Sequence, residues 1–239
     1  MRRIRIAEDE TLGTGVEGHY ILMIDDYVAL KPKNAVESHC HKMPHIIVAK
    51  NPFKICVNGQ IREGRSAIIP SDVEHSIVSM DDSAKMLLIM PLTNLYFQID
   101  DRLKNECIIY EQYYSIEEII SELNKSCITY KKIIDDQRVI EIIEKVNNDT
   151  YLDKSVAEIA KHINLSESRL EHLFSEKTGI RLKHYLLLHK LRKAYKQVCE
   201  GMSITEAAYE GGFSDSSHLA VVSKRLLGIS VSDVIKNKE

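Results

Sequence analysis

The strongest constraint on this chain is a local pattern that occurs twice between Ser155 and Ile235. The first copy reads SVAEIAKHINLSESRLEHLFSEKTGI and the second SITEAAYEGGFSDSSHLAVVSKRLLGI. Each opens on a Ser followed by apolar residues at helical spacing, the mark of an N-cap and a short helix. Glu158 stands three residues after Ser155 and Glu206 three after Ser203, so both starts are capping boxes. Each helix runs through an Ala (Ala160, Ala208) to a tight turn at Asn164 or Gly212, residue types that tolerate positive φ. A second helix follows at once, carried by Leu170, Leu173 and Phe174 in one copy and Leu219, Val222 and Leu226 in the other. Two short helices joined in this way form a helix-turn-helix, whose second helix can lie in a DNA major groove.

Two ordinary helical hairpins would also satisfy one copy alone; the repetition is what favours the reading of paired units. Both units end in Gly followed by Ile, at Gly179-Ile180 and Gly228-Ile229. An unbroken helical pattern from about Arg181 to Cys199 joins them, free of Pro and Gly and carrying Leu182, Tyr185, Leu186, Leu188, Leu191 and Val198. Such a connector would hold the units at a fixed spacing.

The residues Ala160, Leu165-Ser166, Leu170, Phe174, Thr178-Gly179, Tyr185, Leu191, Arg192 and Ala194 follow an order that the second copy continues. There it is carried by Ser203-Ile204, Ala208, Gly212-Phe213-Ser214-Asp215, Ser217, Lys224-Arg225 and Gly228. In this order and spacing, over about a hundred residues, the C-terminal part resembles the DNA-binding domain of AraC/XylS-family transcription regulators. The departures lie in the second unit. Ser223 replaces a usual Phe, Ala207 and Gly211 are smaller than the usual Ile and Val, Val221 sits where a polar residue is common, and Val231 replaces a usual Pro. The second unit is therefore expected to be less tightly packed and to read bases more weakly.

On the first recognition helix Ser166 is the expected N-cap, and Glu167, Ser168, Arg169, Glu171 and His172 lie off the apolar stripe. Arg169 is the candidate for a bidentate contact to guanine; Glu167 either accepts from cytosine or supports the helix N-terminus. On the second helix Ser216, Ser217, His218 and Val221 face outward, Val221 being suited to a thymine methyl. Lys224 and Arg225 suit phosphate, and Asp215 suits a cap. Lys190, Arg192 and Lys193 on the connector are candidates for further backbone contacts, with packing or plain solvation the alternative for some of them.

From about Gly18 to Ile99 short β-rich runs alternate with turn signals: YILMI, YVAL, HIIVA, FKICV, SAIIP, SIVSM and KMLLIM. Asn58-Gly59 predicts a type I′ hairpin turn, and the close spacing of the strands predicts an antiparallel sandwich or barrel. His39 and His41, one residue apart, would share a face of a strand. His45 follows, and later Gly64, Pro70 and His75. This spacing resembles the two motifs of the cupin family. The resemblance implies a jelly-roll barrel in which His39, His41, His45 and His75 converge on a divalent metal, Zn, Ni, Cu or Fe by ligand type. His45 stands where cupins commonly place Glu, so no carboxylate offsets the metal charge. A metal-free cupin whose histidines line an effector pocket is the competing reading.

Between Pro91 and about Asp136 the pattern turns helical in LTNLYFQIDDRLKN and SIEEIISELNKSCITYKKII, with a capping box at Ser115 and Glu118. In AraC-type regulators such helices commonly supply a dimer contact; helices that simply cover the barrel are the plain alternative. The expected fold is α+β: a cupin-like antiparallel β barrel over residues 1–92, connecting helices over 93–135, and an all-α domain with paired helix-turn-helix units over 136–239. The implied function is a sequence-specific, DNA-binding transcription regulator that answers to a small molecule or metal ion, works as a homodimer on double-stranded DNA, and leaves RNA polymerase open as a further partner. A metal-dependent cupin enzyme with a helical appendage is the alternative. It would not need paired helix-turn-helix units, and no general acid or nucleophile stands beside the histidines, so no catalytic residue is assigned and no enzyme is expected.

Charge agrees with this division. Residues 150–239 hold 14 Lys and Arg against 11 Asp and Glu, whereas the remainder holds 18 against 24. The 5 Cys are odd in number and lack CxxC spacing, which argues for reduced thiols and a cytoplasmic protein. No apolar run reaches the roughly 18 residues of a membrane span, and the first residues lack the core of a signal peptide.

Overall fold

In the computed structural model the described residues are 21–24, 27–30, 36–81, 83–125, 128–227 and 231. The expected class holds: an antiparallel β module precedes an all-α domain that carries two helix-turn-helix units.

The β module is built on one long strand, β4 (His45–Val57), which forms a hairpin with β5 (Gln60–Ile69) through Asn58 and Gly59, at φ 50° and 78°. The remaining strands are β1 (Ile21–Ile24), β2 (Tyr27–Leu30), β3 (Val36–His39), β6 (His75–Ser79), β7 (Lys85–Ile89) and β8 (Ile108–Tyr110). All pairings are antiparallel. β4 absorbs what the sequence pattern divides into two strands. Its register shifts between Val48 and Phe53, and Pro52, which lacks an N–H, lies in that irregular stretch. On the side away from β5, the first part of β4 pairs β7 through His45–Val48, and the second part pairs β6 through Lys54–Val57. The sheet therefore splits into two arms, β7-β2-β1 and β6-β3, around an enclosed apolar interior.

Side-chain alternation along β4 assigns its residues to two cores. Ile46 and Val48, with Ile68, Leu87 and Ile89, face α1 (Asn94–Leu103) and α2 (Ile116–Leu123). Ile47, Ala49, Phe53 and Ile55 face inward. The same parity places His45 inside. The apolar stripe of α2 (Ile116, Ile119, Ile120, Leu123) and that of α1 (Leu95, Tyr96, Ile99, Leu103) are used up in covering the sheet. β8 falls in the stretch that the pattern marks as helical. It pairs β5 at Ser66–Ile68, and a Cβ on Gly64 would meet Ile109 Cγ2 at 2.4 Å and the Tyr110 carbonyl oxygen at 2.7 Å. That close approach is why Gly stands at position 64.

The helical domain comprises α4 (Gln137–Asn147), α5 (Val156–His162), α6 (Glu167–Thr178), α7 (Leu182–Cys199), α8 (Ile204–Glu210) and α9 (Ser216–Leu227); a short α3 (Tyr130–Ile133) precedes it. Among the described residues no helix is long and apolar enough to cross a membrane.

Candidate DNA interface and histidine cluster

Each helix-turn-helix is fixed by local chemistry. Ser155 and Ser203 accept from the N–H of Glu158 and Glu206, and each Glu side chain accepts from its Ser backbone N–H, both capping boxes as expected. The turns place Asn164 at φ 56° and Gly212 at φ 77°, the left-handed region that Asn tolerates and that Gly, lacking a Cβ, enters freely. α6 ends on Gly179 at φ 71°. Gly228-Ile229, the end expected for the second unit, lies outside the described residues. α7 begins at Arg181 without a side-chain cap, and its 18 residues span about 27 Å at 1.5 Å per residue.

The first recognition helix buries Leu170, Leu173 and Phe174 and leaves Ser166, Glu167, Ser168, Arg169 and His172 exposed. Ser166 caps it by accepting from the Arg169 N–H at 3.3 Å. Glu167 pairs with Lys183 of α7 at 3.2 Å, which ties the helix start to the connector, and His172 stands 3.4 Å from Glu176. On α9, Ser217, His218, Val221, Lys224 and Arg225 are exposed and Ser216 is half-buried; Val221 is 66% accessible, unusual for an apolar residue. Asp215 accepts from the His218 N–H at 2.7 Å, a cap that holds its carboxyl below the usual carboxylate range.

Two expectations change. Arg192 is buried, 8% exposed, and pairs with Asp149 at 2.8 Å, so it braces α7 against the end of α4 and does not face DNA. The second unit is not loosely packed. Ala207, Ala208 and Ala194 are fully buried, and a Cβ on Gly211 would lie 2.8 Å from Ala194 Cβ. Small residues here bring α8 closer to α7 and leave no slack. Ser223, in place of a bulky residue, is buried and shares a hydrogen bond with Tyr195 of α7.

In the β module the four histidines converge. His39 ends β3 opposite His75, the first residue of β6, with ring centroids 4.4 Å apart. His41 lies beyond the strand, so its convergence comes from the loop and not from the alternation of a strand. Its Nε2 is 3.2 Å from His45 Nε2. One nitrogen from each of His39, His41, His45 and His75 lies within 4.8 Å of the others. His45 Nδ1 donates to the Met43 carbonyl at 2.9 Å and His75 Nδ1 to the Val73 carbonyl at 2.8 Å, which leaves both Nε2 lone pairs turned inward. His75 Nε2 is buried and has no hydrogen-bond partner. This is the tautomer and outer-shell support that metal-bound imidazoles show. Burial, then the neighbouring imidazoles His75 and His39, lowers the His41 pKa to about 3; burial also lowers His75 to about 4 and His45 well below the ordinary value. All three are neutral near pH 7, the ligand form. A tetrahedral site with bonds of about 2.05 Å has N···N edges of about 3.3 Å. The His41–His45 pair already matches this edge, and the other pairs, all within 4.8 Å, need to close by at most about 1.5 Å.

A cleft of about 780 Å³ adjoins the cluster and separates it from the helical domain. The β module lines it with Cys40, His41, Lys42 and Met43, and Asp72, paired to Lys42, completes that wall. The opposite wall comes from Arg181, His184 and Leu188 of α7 with its cap, and from Arg225 and Leu226 of α9. Sequence reasoning missed this wall, although Arg181, His184 and Leu188 recur at the i, i+3, i+7 spacing of one helix face. Burial, then Arg225 and Lys42, lowers the His184 pKa; the helical wall carries Arg181 and Arg225, while Lys42 on the opposite wall is paired to Asp72.

Paired helix-turn-helix units on one connector, behind a β module with its own polar pocket, define the class: a two-part protein with a DNA-binding helix-turn-helix domain. Residues 159–237 match the family model described as a helix-turn-helix domain. The whole fold is similar to that of apo ToxT from Vibrio cholerae, solved as a point variant, with a TM-score of 0.51 at 13% identity, covering 92% of this chain and 96% of that one. A second ToxT structure from the same organism gives 0.50 at 11%, covering 90% and 100%. The C-terminal domain of AraT, a response regulator from Geobacillus stearothermophilus, matches 42% of this chain and 85% of its own at 18% identity and a TM-score of 0.39. No curated protein sequence matches the chain.

Proposed function

We propose that this chain binds a specific operator through α6 and α9 and that a metal ion held by His39, His41, His45 and His75 sets its affinity for that operator. The single observation that carries the regulatory half is the buried, inward-facing, unpartnered Nε2 of His75 beside three further imidazoles. A buried acceptor without a partner costs about 1–3 kcal/mol, a penalty that a bound cation removes. The cluster has no carboxylate, so a softer divalent ion such as Zn, Ni, Cu or Fe is favoured over Mg or Ca. Binding and orienting the ion is the work of these side chains; no catalytic role is assigned to them, and RNA polymerase and a second copy of the chain are the further partners of this reading.

In the DNA-binding half, Arg169 reads a base, Val221 touches a thymine methyl, and Lys224 contacts phosphate. Glu167 acts through its Lys183 pair as a brace for the helix start. The cleft supports a second reading, in which the effector is a small amphipathic molecule with an anionic end. Its walls join Lys42, Arg181 and Arg225 to the apolar Met43, Leu188 and Leu226. A structure of ToxT has an unsaturated fatty acid bound; for this chain the reading stands on the lining of its own cleft. Metal analysis of untagged protein, with a parallel sample in which all four histidines are changed to Ala, tests the primary reading. Stoichiometric metal in the first sample and none in the second is expected; no metal in either sinks it.

A further inference from the structure

His41 is held differently from its neighbours. Whereas His45 and His75 use Nδ1–H to donate to carbonyls, His41 Nδ1 accepts from the Met43 N–H at 3.2 Å. A neutral imidazole carries one N–H, so the His41 proton sits on Nε2, which points at His45 Nε2. This arrangement satisfies His41 and His45, though not His75, and is incompatible with ligation by His41. If Nε2 binds an ion, the ring proton must move to Nδ1, where it faces the Met43 N–H donor to donor. If Nδ1 binds, its lone pair is no longer available to Met43. By either route the Met43 N–H loses its acceptor.

Met43 occupies a position from which that loss is felt elsewhere. Its carbonyl accepts from His45, and the residue is 2% exposed in the apolar cluster that also contains Leu188 and Leu191 of α7 and Leu219 and Val222 of the second helix-turn-helix unit. The segment Cys40–Met43 forms one wall of the cleft whose other wall includes Arg225 and Leu226 of α9. The His41 carbonyl accepts from the Asp72 N–H at 3.0 Å, and Lys42 pairs with Asp72, so the segment is pinned to Asp72 at His41 and at Lys42. A rearrangement at Met43 therefore moves a braced wall and not a free loop.

We propose that His41 is the residue that transmits occupation of the histidine cluster to the second DNA-reading unit, by releasing the Met43 N–H and shifting the Cys40–Met43 wall against α7 and α9. This deepens the metal reading above and rests on it. His41 is thus a positioning residue for DNA affinity as well as a ligand, whereas His39, which lies outside the bond to Met43, is a ligand only.

The test uses the full chain, Co(II) as the probe ion, and DNA affinity by fluorescence anisotropy on a selected operator. His39→Ala and His41→Ala each leave three of the histidines, and both are expected to bind Co(II) more weakly. At Co(II) concentrations that saturate each protein, wild type and His39→Ala should show an ion-dependent change in DNA affinity of about fivefold or more, the lower end of ordinary coupling. His41→Ala should show none. A His41→Ala protein that retains the full change, or a His39→Ala protein that loses it equally, overturns the proposal, as does Co(II) loading of wild type with no change in DNA affinity. Amide exchange on wild type supplies a readout that does not depend on the variants folding: the Met43 amide should exchange faster with Co(II) bound, and unchanged protection overturns the proposal. Wild type that takes up no Co(II) at all removes the metal reading itself, an outcome distinct from the others.

Discussion

Gly211→Ala should destabilise the second helix-turn-helix unit, against the usual expectation that removing a glycine from a helix end helps. Gly211 has φ −76° and ψ −3°, so its backbone is open to any residue and conformational strain plays no part. What matters is space: an added Cβ meets Ala194 Cβ at 2.8 Å and the carbonyl oxygens of Ala207 and Lys190 at 3.1 Å each. None of these atoms is the tip of a flexible side chain, so α8 must move away from α7. Overpacking of this kind costs about 1–3 kcal/mol, against which the propensity gain from Gly to Ala is at most ~1 kcal/mol. A net loss centred on about 1 kcal/mol is expected from those two terms. Urea unfolding of the full chain followed by far-UV circular dichroism measures it as a lower midpoint with an unchanged slope. Ala194→Gly removes the atom that is struck, so the double variant should recover part of the loss, a coupling of about 1 kcal/mol between touching residues. A neutral or stabilising Gly211→Ala, or a double variant that simply adds the two single effects, would refute the claim that small residues here mean close helix contact.

Four further outcomes follow from the same geometry. Gly212→Ala, at φ 77°, should cost about 1–2 kcal/mol through the backbone alone, a loss that Ala194→Gly does not rescue in the same urea assay. His189 is 1% exposed, with neither ring nitrogen partnered, and burial, then Arg192, lowers its pKa well below the ordinary value. The unfolded chain therefore takes up this proton first: the stability contribution is intact above pH ~6.5 and falls by about 1.4 kcal/mol per unit as the pH drops toward the folded pKa. His189→Leu should flatten the stability-against-pH curve in that window by one proton, and an unaltered slope would exclude His189 as its source. Arg169→Ala should relax base preference in binding-site selection by about 1–3 kcal/mol at one position; an identical selected motif would count against base reading. Lys224→Ala should weaken binding to all sequences alike and reduce the salt slope by about one counterion; a sequence-dependent loss would argue for base contact instead.

The helix-turn-helix pair was legible because its determinants are local. Capping boxes at Ser155 and Ser203, positive-φ turns at Asn164 and Gly212, and a Gly-free connector act within a few residues of themselves, and each appears in the structure as the sequence implies. The β module was legible in class but not in detail, because strand pairing is decided at a distance. Two apolar runs fused into β4 because an irregularity at Ala49–Pro52 lets one strand change partners, and β8 formed in a helical-looking stretch because the backbone at Gly64 accepts it. The histidine spacing identified the residues that converge but misplaced the cause, since His41 reaches the cluster from a loop. Arg192 was misread for a related reason: a cation on a helix carries no sign of whether its partner is phosphate or a buried Asp149 forty-three residues upstream. The cleft wall of Arg181, His184 and Leu188 went unread because the face it presents acquires meaning only opposite the loop at Lys42.

The central claim is that α7 holds α6 and α9 for simultaneous engagement of one face of the duplex. Successive major grooves lie about 34 Å apart, somewhat beyond the ~27 Å of the connector, so the DNA is expected to bend toward the protein at a cost of about 1–6 kcal/mol. Hydroxyl-radical footprinting on a selected operator tests this directly. The account predicts, for each bound chain, two protected patches one helical turn apart on the same face, with Arg169→Ala altering one and Val221→Asp abolishing the other. A single patch, or two on opposite faces of the duplex, would contradict it.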